Sequence, residues 1–194
     1  MMHFVAHVTD FGDQAVILPV ALVVSLVLAI GRCVRACLAW TVAVCGVLSL
    51  ILALKVILLT CGVQLLPTGA LRTPSGHTGA STVVYGGIAA LVLQGRANSA
   101  WPAALAAVTV AVVIGVSRIV LHAHTILEVC IGGMVGLAGI WVMLLMAGRL
   151  PRRPPWVLCG ALVLAAIVLT HGRHLNAEPY IYRFALLERI CRLN

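Results

Sequence analysis

The chain has 194 residues, 62% of them hydrophobic and only 9% charged, with a mean hydropathy of +1.13. A soluble domain carries about a quarter charged residues, so this composition describes an integral membrane protein, read as one domain over residues 1–194 with no soluble module. The net charge of +8 is almost all arginine. Those arginines lie in short loops between apolar runs, which points to topology and lipid headgroups and away from nucleic acid. The seven cysteines form no Cys-x-x-Cys pair and fall mostly inside apolar stretches, so neither a disulfide framework nor a zinc site follows.

Six apolar runs predict an all-α, polytopic bundle of six transmembrane helices. They cover about Ala15 to Ile30, Ala36 to Cys61, Ser75 to Leu93, Trp101 to Val120, Thr125 to Ala147 and Pro155 to Thr170. The first has no basic residues before it and no small-residue cleavage site, so the expectation is a retained helix rather than a signal peptide. Pro102 suits the first turn of the fourth helix. Gly132 and Gly136 in the fifth would let a neighbouring helix approach closely. From His171 to Asn194 the apolar side of a helical wheel (Tyr180, Phe184, Leu187, Cys191) faces away from Glu188, Arg189 and Arg192, which fits an interfacial helix or a surface tail.

Six spans place both termini and the loops around residues 74 and 122 on one side of the membrane. The other side then holds Arg32, Arg35, Arg96, Arg149, Arg152 and Arg153, while Asp10 and Asp13 precede the first span. That asymmetry predicts an external N-terminus, hence a motif face on the periplasmic or extracellular side of the inner or plasma membrane.

Very little charge is available for the membrane, and what there is gathers at two places. Glu128 is the only acidic residue between Asp13 and Glu178, and Lys55 is the only lysine. Charges near a bilayer core are costly, which favours a functional reading of the two motifs they accompany. In Pro74-Ser75-Gly76-His77 a helix begins at Ser75 and Gly76, where free amide hydrogens and the helix dipole favour an anion. In Ser117-Arg118…His124…Glu128 the arginine can grip two phosphate oxygens. His124 and Glu128, four residues apart, share a helix face, so the carboxylate can fix one imidazole nitrogen and leave the other as a nucleophile. His77 on a separate helix would protonate the departing oxygen and later activate water. His3, His7, His171 and His174 read as solvated interfacial side chains, and His122 as structural or peripheral.

These two motifs resemble the central and last signatures of the type-2 phosphatidic acid phosphatases, integral-membrane lipid phosphatases related to vanadium haloperoxidases. The resemblance covers about Lys55 to Gly139. Two departures stand out. Glu128 occupies a position that is usually Asp, and the first signature, Lys-x6-Arg-Pro, is not intact: Gly62 lies seven residues after Lys55, and the nearest arginine is Arg72. The resemblance implies a phosphohistidine on His124 oriented by Glu128, His77 as acid/base, and Arg118, Ser75 and Gly76 holding phosphate, with Arg72 and Lys55 as further cations. It implies no metal and no cofactor. The expected reaction is hydrolysis of a lipid phosphate or diphosphate such as undecaprenyl diphosphate, phosphatidylglycerol phosphate or phosphatidic acid, with no obligate protein partner. Alternatives are a lipid phosphotransferase using the same site, a metal-binding membrane protein with His77, His122, His124 and Glu128 as ligands, and a non-catalytic lipid-binding protein.

Overall fold

The computed structural model describes residues 2–65, 73–94, 101–148, 155–175, 179–181 and 183. Apolar sequence in hydrocarbon must satisfy its own backbone hydrogen bonds, and each apolar run does so as a helix. A short helix α1 (Met2–Asp10) leads into α2 (Gln14–Ile30), followed by α3 (Val34–Leu65). Helix α4 (Gly76–Gln94) is α-helical at both ends with a π-helical turn over Thr82–Gly86. Then come α5 (Trp101–Val120), α6 (Ile126–Ala147) and α7 (Trp156–Thr170). Met2–Ile30, Val34–Thr60, Gly76–Gln94, Trp101–Val120 and Ile126–Ala147 are long and apolar enough to cross a bilayer. The sixth predicted run is a shorter apolar helix of 15 residues, α7, packed along α2. Among the described residues there is no strand.

The six-run expectation therefore holds as an all-α polytopic bundle, with one addition. Helix α1 was not predicted, and it brings Thr9 and Asp10 to the end of the bundle where both motifs lie. Most of the tail expected as an interfacial helix, including Phe184, Leu187, Glu188, Arg189, Cys191 and Arg192, lies outside the described residues.

The core runs along α2, α3 and α4. Val16, Ile17, Val20 and Val24 of α2 meet Ala39, Trp40, Ala43 and Val47 of α3, with Val83 and Val84 of α4 behind them. Trp40 is fully buried and donates its indole N–H to the Ala21 carbonyl at 3.1 Å, which removes the cost of hiding that group. Leu22, Leu38, Val112, Trp141 and Val168 point outward and are exposed, as suits side chains solvated by lipid. At one end Arg35 donates to the Met146 carbonyl (2.7 Å) and Gln94 to the Gly148 carbonyl (3.1 Å). The two motifs lie at the other end.

Helices α4 and α6 approach closely because their contact is built from glycine. A Cβ at Gly132 would collide with the carbonyl oxygen of Ser75, and one at Gly136 would lie 2.6 Å from Thr82 Cβ and 2.8 Å from the Gly79 carbonyl oxygen. The packing reading of Gly132 and Gly136 is thus met, and it has a consequence for the site: it presses the start of α4 onto the first turns of α6. Gly132→Ala is expected to lower stability by about 1–3 kcal/mol, the usual cost of overpacking. Gly160→Ala, where nothing lies within 4 Å, should leave it unchanged. Thermal denaturation of the two variants in detergent checks both.

Candidate active site

Glu128 is the residue around which the site is assembled. Thr125 caps α6, and Thr125-x-x-Glu128 forms a capping box: Glu128 N–H donates to Thr125 Oγ1 (3.4 Å) and Thr125 N–H donates to Glu128 Oε2 (3.0 Å). The same Oε2 lies 2.9 Å from Nδ1 of His124, and Oε1 accepts the backbone N–H of Thr73 at 3.0 Å. The Glu128 main-chain carbonyl accepts Ser75 N–H at 3.0 Å. One buried residue therefore starts α6, holds the His124 ring and fastens the loop that carries Ser75, Gly76 and His77. The capping box needs Glu or Gln at this position, which gives a local reason for Glu where the family pattern has Asp.

Because both carboxylate oxygens accept N–H groups, Glu128 acts as an ionised acceptor and His124 carries its hydrogen on Nδ1. His124 lies in the loop before α6, outside the membrane-spanning segments. Burial pushes its pKa below the ordinary imidazole value. The hydrogen bond to Glu128 raises it, Arg118 lowers it, the charge of Glu128 raises it and Lys55 lowers it, in that order. The neutral ring, with Nε2 carrying a lone pair, is the form favoured at neutral pH.

Ser75 is fully buried and caps α4: its Oγ accepts the Thr78 N–H (3.4 Å) and pairs with Thr78 Oγ1 (2.9 Å). Gly76, His77, Lys55 and Arg118 line a cavity of about 870 Å³ at this end of the bundle. Lys55 enters it although the first signature is broken. A Cβ at Gly76 would lie 3.8 Å from Lys55 Nζ, so the ammonium sits against the helix start. Arg118, on the last turn of α5, donates from Nη1 to Thr9 Oγ1 at 3.3 Å. Leu48, Ile51 and Leu52 of α3 give the cavity an apolar wall, and Leu175, Tyr180 and Ile181 from the chain after α7 line it as well.

Arg72 lies outside the described residues. His122 is exposed and lies in the turn after α5 with a left-handed backbone (φ 53°). His174 is exposed, as expected, but it also lines the cavity, its Nδ1 3.5 Å from Asp13 Oδ2. Asp10 and Asp13, read from sequence as topology charges alone, also line it. The local signal for Asp13 was its place as an N-cap before an apolar run, but nothing in the sequence ties it to His174.

Cations, a helix start and a carboxylate-held imidazole gathered at one end of a lipid-facing bundle are the parts that phosphoryl transfer requires of a membrane enzyme. The chain belongs to the PAP2 superfamily, whose family model matches residues 15–152. It is accordingly a phosphatase-type enzyme, a hydrolase of phosphate esters. No curated protein and no solved structure matches it.

Glu128→Gln tests the orientation of His124. The maximal rate should fall at least tenfold, because the amide cannot accept all the N–H groups that the carboxylate does. Removing a carboxylate that raises the His124 pKa also moves the acid limb of kcat/KM to lower pH, whereas loss of orientation alone would leave that limb in place. In the unaltered protein the limb should already lie below about pH 6.5, the ordinary imidazole value. A pH–rate series on both proteins reads these outcomes.

Proposed function

We propose that the protein is a membrane lipid phosphatase that cleaves a lipid phosphate or diphosphate through a phosphohistidine on His124. Nε2 of His124 attacks phosphorus and the ester oxygen leaves. Glu128, bonded to Nδ1, holds the ring in line and stabilises the positive charge that develops on it. Arg118 and Lys55 neutralise the phosphoryl oxygens, aided by amide hydrogens at the start of α4 and, as the resemblance implies, by Arg72. His77 gives its proton to the leaving oxygen, then takes one from the water that attacks the phosphohistidine and releases phosphate. This chemistry uses the chain's own side chains and amide hydrogens and calls for no metal.

The observation that carries this reading is the 2.9 Å bond between His124 Nδ1 and Glu128, on the residue whose main chain fastens the His77 loop. The lipid part of the proposal rests on the cavity wall. Leu52, which lines the cavity, is about half exposed, and Leu48 and Ile51 continue the same apolar wall, so an acyl or prenyl chain can lie along α3 while its phosphate reaches the cations. An external position for this end of the bundle is supported by Arg32 and Arg35, which lie between α2 and the first turn of α3, at the end away from the motifs.

A phosphate-release assay in detergent over phosphatidic acid, phosphatidylglycerol phosphate and undecaprenyl diphosphate, with and without chelator, tests the proposal. Release should persist in chelator and disappear in His124→Ala. An acid-labile, alkali-stable phosphoryl adduct should be trapped on the wild type from radiolabelled substrate. Undiminished release by His124→Ala, or none from any of these lipids by the wild type, overturns it.

A further inference from the structure

The family match begins at residue 15, yet the turn just before it is built against His77. A Cβ at Gly12 would lie 3.1 Å from His77 Cβ and 3.3 Å from its Cδ2, so the backbone of the turn packs on the imidazole side chain. Tyr85 of α4 donates its hydroxyl to the Phe11 carbonyl at 2.9 Å and ties the turn down. Asp13, which follows Gly12, is buried. Its Oδ1 accepts two backbone N–H groups, from Ala15 at 2.8 Å and from Leu175 at 3.0 Å. With that oxygen held by α2 and by the chain after α7, Oδ2 is aimed at two imidazoles, His77 Nε2 at 3.8 Å and His174 Nδ1 at 3.5 Å.

We propose that Asp13 is a positioning residue for His77: it holds the ring by its Nε2 edge and sustains the proton-bearing form that the leaving group needs. The inference rests on the reading of His77 as the acid. At 3.8 Å the contact is one of charge rather than a hydrogen bond, and charge is what the place requires. The cavity already contains Lys55 and Arg118, both positive, and a third positive charge on His77 is unfavourable beside them. Glu128 is committed to His124. Asp10 lies 3.8 Å from His174 and 3.9 Å from His7. Among the described residues, Asp13 is the carboxylate that faces His77.

With Nε2 turned to Asp13, Nδ1 is the nitrogen that delivers the proton. As the bond from phosphorus to the ester oxygen breaks and the His124 Nε2–phosphorus bond forms, that proton passes from Nδ1 to the departing oxygen. His77 is then neutral and recovers a proton from the attacking water, while Asp13 stays ionised throughout.

Asp13→Asn removes the charge but keeps an oxygen acceptor and a good helix cap, so the full chain in detergent is the right material. Two substrates separate the roles: an alkyl phosphate, whose alkoxide needs a proton to leave, and p-nitrophenyl phosphate, whose phenolate does not. Asp13→Asn should lower kcat/KM for the alkyl phosphate about 10–100-fold, part of the roughly 10²–10⁴-fold that general acid catalysis supplies. kcat/KM reports only the steps through departure of the leaving group, so the later activation of water by His77, common to both substrates, does not enter, and kcat/KM for the aryl phosphate should stay within about threefold. His77→Ala should show the same selectivity, and the double variant should be no slower than His77→Ala, the mark of two residues acting as one unit. Equal losses on both substrates, an additive double variant or an unchanged alkyl rate overturns the proposal. If His77→Ala shows no leaving-group selectivity, the acid role of His77 falls first and this inference falls with it.

Discussion

A single buried carboxylate, that of Glu128, ties the architecture of this protein to its chemistry. Burying an ion is expensive unless its lone pairs are filled by donors, and here the donors are the very groups that must be placed: the N–H of Thr73, the N–H of Thr125 and the Nδ1 of His124. Removing one partner would leave an uncompensated charge, so each contact helps enforce the others. The same residue's carbonyl takes Ser75 N–H, which makes the register between α4 and α6 a matter of hydrogen bonding as well as of packing.

That arrangement needs backbones to come together more closely than side chains usually permit. The glycines at 79, 132 and 136 remove the obstacle, and they do so where lipid offers no hydrophobic drive for helix association. Close contact at this crossing substitutes for the larger apolar interfaces of soluble bundles. It leaves the outer faces of α2, α3, α5 and α6 free to carry large side chains into the bilayer.

The bundle was legible in the sequence because hydropathy alone separates segments that must hide their backbone from lipid. The pairing of His124 with Glu128 was legible too, since helical spacing places i and i+4 together. Thr125 as a helix cap could have been read from its four-residue pattern with Glu128. Lys55 was harder: its motif is interrupted at Gly62, and only the packing of α3 on α4 brings its ammonium to Gly76. Asp13 and His174 were out of reach, because 161 residues separate them and nothing local couples a helix cap near the start of the chain to a segment that follows the last helix. Gly12 gives no signal until the atoms that crowd it are seen.

The cavity is bounded by residues from opposite ends of the sequence: Thr9, Asp10 and Asp13 from the beginning, His174 and Leu175 from beyond α7. A chain inserted into the bilayer helix by helix as it is synthesised thus carries an unfinished enclosure until α7 has packed along α2 and the residues that follow it, His174 and Leu175, have docked. A phosphate ester would meet the completed chamber only after that event.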